Sequence, residues 1–328
     1  MTKTGSNVYA LYKLEGSTYK TTSETNYKSF GHDIKLTSFQ INNNVKKHYG
    51  IGNYEALQQV GLAFEGSMGL DFLLGDPWWF SCLTGNIAAT TGAGPYTHKF
   101  IDTGGSPSSL AAMKSMTIDM NYDFSTASHH TIKGAVINKL TMNLNVDEDV
   151  RCQMDLAFAD STWSESALTT KVNSTDAPYT FAYASVEFPT STTITKVQSA
   201  TLGLSRNPEI KRALGSRVGN FFITKKSDYD FTMKLPFDIA TLLKYTYGSS
   251  SSVSPDAILT ETANMKVLLN NGAATTANRQ LEFNFVGQLI NTLDTSASVE
   301  DLMTQDAVFS IRQVSKIQAI NNTSTQPV

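Results

Sequence analysis

The residues with the clearest chemical potential are one histidine pair, one acidic triplet and two cysteines. His129-His130 cannot chelate one ion together, because adjacent side chains in a strand point to opposite faces. Asp147-Glu148-Asp149 lacks the alternating ligand spacing of a calcium loop and is typical of an exposed turn. Cys82 and Cys152 lie in apolar stretches, which favours core thiols, although a disulfide between them stays open. We therefore predict no metal site.

The common catalytic motifs are absent from the sequence. It contains no G-x-S-x-G, P-loop, dinucleotide-binding glycine pattern or zinc-ligand spacing. Trp78-Trp79 could offer a stacking platform for a sugar, but two tryptophans in an apolar helix more often pack in a core. We predict that the protein is not an enzyme and uses no cofactor, and this absence favours a structural role.

The composition bounds the size and the class of the protein. The 328 residues are 41% hydrophobic and 17% charged, which is apolar enough to build cores and suggests about two domains. The sequence has no run of about 18 apolar residues and no visible secretory signal, so we expect no membrane association. The net charge of -3 argues against a protein that grips nucleic acid by its phosphates, although nucleic acid could still slide past it.

One stretch of the chain occurs twice, and the rest of the sequence is organised around it. Each copy has an apolar strand, then a long polar loop that runs from an Asn to a Gly, then a strand that ends in Phe. A repeat of about half the chain predicts two related domains rather than a solenoid. The first copy is Lys35–Ile41, Asn44–Gly52 and Phe64–Phe72, and the second is Val197–Leu204, Asn207–Gly215 and Tyr229–Phe237.

The segments after the repeated strands predict one helix in each half. Phe64–Phe72 alternates between apolar and polar residues, which is the pattern of a half-buried strand. Leu73–Leu83 follows it, with Asp76-Pro77 as a helix-start signal, and Asp238–Tyr247 takes the same place in the second half. Each predicted helix is followed by a helix-ending glycine, Gly85 and Gly248 respectively.

Further strands are predicted after the helix. Met116–Tyr122, Ile132–Val146 and Val150–Phe158 carry apolar residues at even positions, and the last two form a long hairpin through the acidic turn. The second half echoes this order, because Met265–Asn270 resembles Met116–Asn121 and, at the same offset, Leu281 is predicted to correspond to Ile132.

These patterns together predict a mainly β fold of the α+β kind, built from two duplicated antiparallel β-sandwich or barrel domains with one helix each. We expect residues 1–33 to form an N-terminal arm with at most one short strand. Residues 34–175 would form the first domain, residues 176–320 the second, and residues 321–328 a polar tail.

The duplicated stretch resembles the major tail tube proteins of long-tailed bacterial and archaeal viruses. The resemblance rests on an apolar strand, an Asn loop that ends in Leu-Gly or Ile-Gly, and a following strand that ends in Phe. The second copy, with Leu214-Gly-Ser-Arg217, is closer to the family's form than the first, with Ile51-Gly-Asn-Tyr54. The segments at Tyr96–Phe100, Met116–Tyr122 and Gly134–Val146 also fit, so the resemblance covers most of residues 30–320.

This resemblance implies packed β-sheets in a structural virion protein whose subunits close into rings that stack into a hollow tube. Three chains with two copies each would make a pseudo-hexameric ring, and six chains would make a hexamer. The implied partners are further copies of the chain, other tail proteins, and viral DNA that passes through the lumen without specific binding. The implied location is the virion tail, after assembly in the host cytoplasm. The alternative is a β-sandwich carbohydrate-binding or adhesin module, and a hydrolase with a site made of distant residues is a third option.

Two surfaces are predicted to serve the tube. The loops Asn42–Gly61 and Ser205–Lys226 are long and mix charges with aromatic side chains, so we expect them to be ordered by contacts between stacked rings. The contact residues are Asn44, Lys46, Lys47, Tyr49, Tyr54, Glu55, Arg206, Glu209, Arg212 and Arg217. The polar faces of the two strands after these loops are expected to face the lumen, through Glu65, Ser67 and Asp71 in the first copy and Asp230, Thr232 and Lys234 in the second.

Overall fold

The computed structural model of the protein is mainly β, with two short helices among the residues that it describes, which confirms the predicted fold class. Most of the longer strands alternate between apolar and polar residues, and their apolar sides face the core. The structure describes residues 8–16, 18–22, 24, 26–52, 54–85, 90–92, 94–102, 113–122, 128–166, 172–174, 177–189, 191–237, 241–247, 261, 263–272, 279–297 and 303–321.

The elements fall into two halves, which are named here by their place in the chain. The first half contains β1 (Val8–Leu14), β2 (Lys28–Ser29), β3 (Gly31–Asn42), β4 (Val45–Tyr49), β5 (Ala56–Gly61), β6 (Glu65–Leu74), α1 (Phe80–Thr84), β7 (Tyr96–Asp102), β8 (Met116–Tyr122), β9 (Ser128–Asn145), β10 (Arg151–Phe158) and β11 (Asp160–Ser164). The second half contains β12 (Thr180–Glu187), β13 (Thr193–Ile194), β14 (Ser199–Ser205), β15 (Pro208–Lys211), β16 (Phe221–Thr224), β17 (Asp228–Pro236), α2 (Thr241–Thr246), β18 (Ala263–Asn270), β19 (Gln280–Ser296) and β20 (Thr304–Asn321).

Most strands join one antiparallel sheet whose path runs through both halves. Its order is β13-β12-β18-β19-β20-β17-β14-β9-β10-β6-β3, so β14 of the second half pairs with β9 of the first. Two hairpins stand outside this sheet: the first hairpin, β4 with β5, and the second hairpin, β15 with β16. Each predicted long loop therefore contains a two-stranded hairpin.

The two halves use the same pairing order. In the first half β8-β9-β10-β6-β3 are neighbours in that order, and in the second half β18-β19-β20-β17-β14 are. β1 pairs with β8 as β12 pairs with β18, and each hairpin lies between equivalent strands of the chain. What recurs in the sequence therefore recurs in the strand pairing.

Irregular positions also recur at equivalent places. The pairing of β10 with β9 skips Asn138, and the pairing of β20 with β19 skips Asn291. Shortly before these bulges, Gly134 and Gly287 both adopt left-handed backbone angles, with φ of 65° and 72°. A bulge and a left-handed glycine bend a strand. β9 bends there, so that it pairs with β8 before the bulge and with β14 after it.

The pairings correct the predicted alignment of the two halves. Glu65 pairs with Asn42 next to the first hairpin, as Asp228 pairs with Ser205 next to the second. Glu65 therefore corresponds to Asp228, two residues from the position that the sequence comparison gives. A shift by two residues keeps every side chain on its face of the strand, so an apolar pattern cannot reveal it.

The helices occupy the predicted segments but are shorter. α1 begins only at Phe80, because β6 continues further than expected and a turn follows, in which Asp76 Oδ1 accepts the Trp78 N–H at 3.1 Å. Gly85 ends the helix with a φ of 87°, as predicted. Thr241–Thr246 falls inside the second predicted helix, whereas Gly248 lies outside the described residues.

The N-terminal segment contains more structure than the predicted arm with one short strand. β1 pairs with β8 along its whole length, β2 pairs with β1, and Leu11 and Tyr12 are buried. The proposed domain limits at residues 34–175 and 176–320 stay a prediction, and the polar tail lies outside the described residues beyond Asn321.

One connected apolar core runs through both halves, and α1 lies between them. Trp79 stacks on Phe80 at 4.2 Å between ring centroids, and Phe80 meets Phe283 of β19 edge-on at 5.7 Å. Cys82 and Cys152 are free and buried, which confirms core thiols and closes the disulfide alternative. Burial raises the pKa of both thiols well above the ordinary range.

Candidate functional site

The base of each hairpin is fixed by an equivalent asparagine. Asn44 and Asn207 have left-handed backbones with φ of 44° and 45°. The Asn44 side-chain amide donates to the Ala63 carbonyl at 3.3 Å, and that of Asn207 donates to the Lys226 carbonyl at 3.1 Å. The Asn that opens each predicted loop therefore closes its hairpin across the base, which is a structural role inside the chain.

The tips of the hairpins expose apolar residues at equivalent positions. Ile51 and Leu214 are fully exposed, and each precedes a glycine with a φ of 83°, Gly52 or Gly215. A left-handed residue in a tight turn favours glycine because a Cβ would be strained there. The Ile-Gly and Leu-Gly signatures thus each mark a turn that presents one bare aliphatic side chain.

The second hairpin is tied to the base of the first by two arginines. Arg212 Nη2 donates to the Phe64 carbonyl at 2.7 Å and lies 3.0 Å from Glu65 Oε1. Arg217 Nη2 donates to Asn43 Oδ1 at 3.2 Å, and the Phe64 N–H donates to the Arg217 carbonyl at 2.9 Å. Arg212 and Arg217 therefore bind within the subunit, between its two halves.

The remaining predicted contact residues divide into exposed and paired ones. Glu209 forms ion pairs with Lys211 and with Lys225, the latter at 2.9 Å, and these lysines lower the pKa of its carboxyl to about 2. Of the predicted contact residues in the first hairpin, those that are exposed are Lys46, Lys47, Tyr49, Tyr54 and Glu55.

Arg206 does not lie on the hairpin surface. Its side chain is only 3% exposed and its Nη1 donates to the Leu83 carbonyl, at the end of α1, at 2.6 Å. Burial lowers the pKa of the guanidinium from its ordinary value. Because a nearly buried side chain cannot reach another subunit, we leave Arg206 out of the contact surface. Its charge pattern alone gave no sign of this burial.

The predicted lumen residues lie on one continuous polar face of the sheet. Ser67 and Asp230 are exposed at equivalent positions, and Lys234 is exposed beside Asp306 of the next strand. Thr232 is half-buried on the same face. The face continues over β10, β9 and β14 through polar residues. Asp155 of β10 pairs with Lys139 of β9, and Lys139 pairs in turn with Ser205 of β14.

Two of the predicted lumen carboxylates are neutralised by arginines. Glu65 pairs with Arg212, and Asp71 forms an ion pair with Arg151, which also reaches Asp33 at 3.4 Å. The polar face therefore carries mixed charges rather than a basic stripe. A face without such a stripe has no row of cations to hold phosphates.

The edges of the sheet are functional candidates that the sequence did not reveal. β3 pairs only with β6 among the described strands, and the end of β19 after Gln288 pairs only with β20. Ile41 on β3 is 40% exposed. Unpaired edges invite pairing with another chain unless something covers them. The sequence signal that could have indicated this edge was the apolar Ile41 at the end of the β3 strand.

The described residues offer little to the other functional classes. Trp78 is 8% exposed and Trp79 is fully buried, so neither presents a face to a sugar. No group of three or more His, Cys, Asp and Glu side chains that could hold a metal ion occurs in the described ranges. Neither of the helices described here has the length and apolarity needed to cross a membrane.

Comparison with known proteins gives one family. The family model described as phage tail tube protein matches residues 49–287, which is well over half of the chain. No curated protein matches the sequence of this chain. The matched range includes the first hairpin from Tyr49 onward, the whole second hairpin, both helices and the β14–β9 junction. The chain therefore belongs to the phage tail tube protein family and is a structural subunit of the virion tail, where it assembles with further copies of itself and with other tail proteins.

Proposed function

We propose that this subunit closes into a ring of three chains and that these rings stack into the hollow tube through which the viral genome passes. The observation that carries the proposal is the equivalence of the two halves, which follow each other in one sheet. Three chains would supply six equivalent halves, and we propose that the halves arose by duplication. A ring also covers the sheet edges that a free subunit leaves open.

Contacts between stacked rings are assigned to the hairpin tips. Ile51 and Leu214 stand fully exposed at equivalent places, so a three-chain ring would present six aliphatic tips at one level. Lys46, Lys47 and Glu55 surround the first tip with charges. An apolar centre with a charged rim is the usual make-up of a protein interface.

The lumen wall is assigned to the continuous polar face. Its opposite side is buried in the core, so this face meets water, and the lumen is the largest body of water that a ring encloses. The mixed charges of Glu65, Asp71, Asp230 and Lys234 would let DNA slide without holding it. Assembly of the tail in the host cytoplasm is part of the same proposal.

The carbohydrate-binding or adhesin alternative has less support. It depends on Trp78 and Trp79 as a stacking platform, and both side chains are packed in the core. The family match also points to a tail tube, and membership of a structural family indicates a non-enzymatic role.

The assembly is tested by negative-stain electron microscopy and native mass spectrometry of the purified chain. Hollow tubes or rings with a mass of three chains are expected. A protein that stays monomeric at every concentration and salt condition would contradict the ring, and a six-chain ring would contradict the trimer.

The lumen is tested by adding one positive charge per chain at two exposed serines. Ser67→Lys changes the polar face, and Ser164→Lys makes the same substitution on β11 as a matched control. We expect Ser67→Lys virions to assemble intact tails but to eject DNA more slowly, most strongly at low salt, because the screening length is about 10 Å at 0.1 M salt. Equal ejection by both variants at every salt concentration would refute the lumen assignment.

A further inference from the structure

We propose that neighbouring subunits join by a strand pairing that copies the internal β14–β9 junction. In it, the free edge of β3 in one copy pairs antiparallel with the end of β19 in a second copy of the chain. This inference rests on the proposed ring and names the surface and the register by which the ring closes.

The internal junction shows how one half attaches to the next. Seven residues of β14 pair with β9, from Ser199 opposite Asn145 to Ser205 opposite Lys139. On the apolar face Leu204 lies opposite Leu140, and both are fully buried. On the polar face the Thr201 hydroxyl donates to Asn143 Oδ1 at 3.1 Å.

The two free edges are the equivalents of these two strands. β3 takes the place of β14, because it pairs with β6 as β14 pairs with β17. β19 takes the place of β9, because its pairing with β20 has the same bulge as that of β9 with β10. Each half thus has one junction strand of each kind. One strand of each kind meets inside the chain, and the other two stay open in the described structure.

The equivalence of β3 with β14, and of β19 with β9, fixes the register in which β3 would pair with β19 of the next copy. Ile41 corresponds to Leu204, since each precedes the last paired residue before its hairpin. Leu293 corresponds to Leu140, because it pairs with Ala307 where Leu140 pairs with Met154. Ile41 therefore lies opposite Leu293.

The side chains in this register match on both faces. Ile41 and Leu293 meet on the apolar face, Gln40 lies opposite Asp294, and Ser38 lies opposite Ser296. A slip by one residue would set an apolar side chain against a carboxylate, so the pattern specifies the register. Asp294 also lies opposite Asp306 of its own chain, and the Gln40 amide would supply it with a donor.

Differences in burial between equivalent positions support a missing neighbour. Ile41 is 40% exposed, whereas Leu204 at the equivalent position is fully buried. All five residues of β4 in the first hairpin are exposed, whereas all four of β15 in the second hairpin are half-buried. The second hairpin rests on the first half of its own chain. The first hairpin lacks such a support in the described structure, and the second half of the next copy would supply it.

The two edges differ, so the contact is head-to-tail. A head-to-tail contact makes a closed ring or an open filament, and every subunit uses both of its edges. In this register β3 of one copy pairs with β19 of the next copy, and not with a second β3.

Disulfide trapping on the full chain tests the register. We pair Gln40→Cys with Asp294→Cys, and separately Ile41→Cys with Leu293→Cys, so that both kinds of antiparallel site are sampled. The off-register control is Gln40→Cys with Thr295→Cys, whose side chains would point to opposite faces. The native cysteines are buried and stay in all variants.

Mild oxidation of assembled protein should yield cross-linked chains on a non-reducing gel, at least about tenfold more from a matched pair than from the control, because a disulfide needs Cα atoms about 4.4–6.8 Å apart. Electron microscopy of each variant runs in parallel. Rings or tubes that form normally without selective cross-linking of either matched pair would overturn the register and leave the ring intact. An absence of rings in the unmodified protein would instead refute the proposed function.

Discussion

Gly134 should be among the most sensitive single positions of the subunit. It is buried at the bend of β9, with a φ of 65°, and its N–H donates to Glu15 Oε1 at 2.8 Å. The Tyr19 hydroxyl donates to its carbonyl at 2.9 Å. The bend matters because β9 pairs with β8 before it and with β14 after it.

Replacing Gly134 by alanine adds two costs. A left-handed backbone costs a residue with a Cβ about 1–2 kcal/mol. The added Cβ would lie 2.7 Å from the Cζ and Oη atoms of Tyr19, so the ring must move and lose its hydrogen bond, which costs about 1 kcal/mol more. We expect Gly134→Ala to lower the free energy of unfolding by about 2–3 kcal/mol. Gly52→Ala, with a φ of 83° and nothing within 4 Å of the new Cβ, should cost the backbone term alone.

Urea unfolding of the unassembled subunit measures these differences. The contact with Tyr19 is isolated by repeating Gly134→Ala in a Tyr19→Ala background, where its cost should fall to about the 1–2 kcal/mol of the backbone term. Equal costs for Gly134→Ala and Gly52→Ala, unchanged by the removal of Tyr19, would refute the steric argument.

Two further predictions concern polar groups inside the subunit. Arg206→Met should lower the free energy of unfolding by about 1.5–3 kcal/mol, because the Leu83 carbonyl loses a charged donor. An unchanged urea midpoint would contradict this stabilising role. The Glu187 carboxylate accepts the Ser191 N–H and pairs with Lys266, each at 3.0 Å, which lowers its pKa below the ordinary value. Glu187→Gln should therefore cost about 0.5–1 kcal/mol at pH 7. The difference should vanish as the pH falls through the folded pKa, below the unfolded value of about 4.3, and its persistence at low pH would contradict the pairing.

Local patterns predicted the kinds of element well, because they act over a few residues. Phe64–Phe72 alternated with period two, and all of it after Phe64 lies in β6. The acidic turn after Asn145 joins β9 to β10 as expected. Asp76 and Gly85 marked a turn and a helix end that the structure contains. The sequence also showed that Asn and Gly recur around each hairpin. They recur because both residues occupy left-handed backbone positions there.

Contacts between distant segments were beyond such patterns. Arg206 and Arg212 are both arginines near the second hairpin, yet one is buried against Leu83 and the other reaches Phe64. Nothing in the sequence near either arginine distinguishes them, because each partner lies more than a hundred residues away. The tertiary structure was therefore needed to decide which residues belong to the contact surface, which hold the subunit together and which lie on the polar face.

The sequence by itself determined that the protein is mainly β and that one sequence pattern occurs twice in the chain. It also determined which side of a strand is apolar, because apolar and polar residues alternate along a half-buried strand. Only the tertiary structure decided the register between the halves. Ile132 corresponds to Phe285 rather than to Leu281, since a shift by an even number of residues leaves every side chain on its face and only the bulges and pairings fix it. The tertiary structure likewise decided which edges meet inside the chain, because an edge is defined by the absence of a neighbouring strand, and no single strand's sequence records its neighbours.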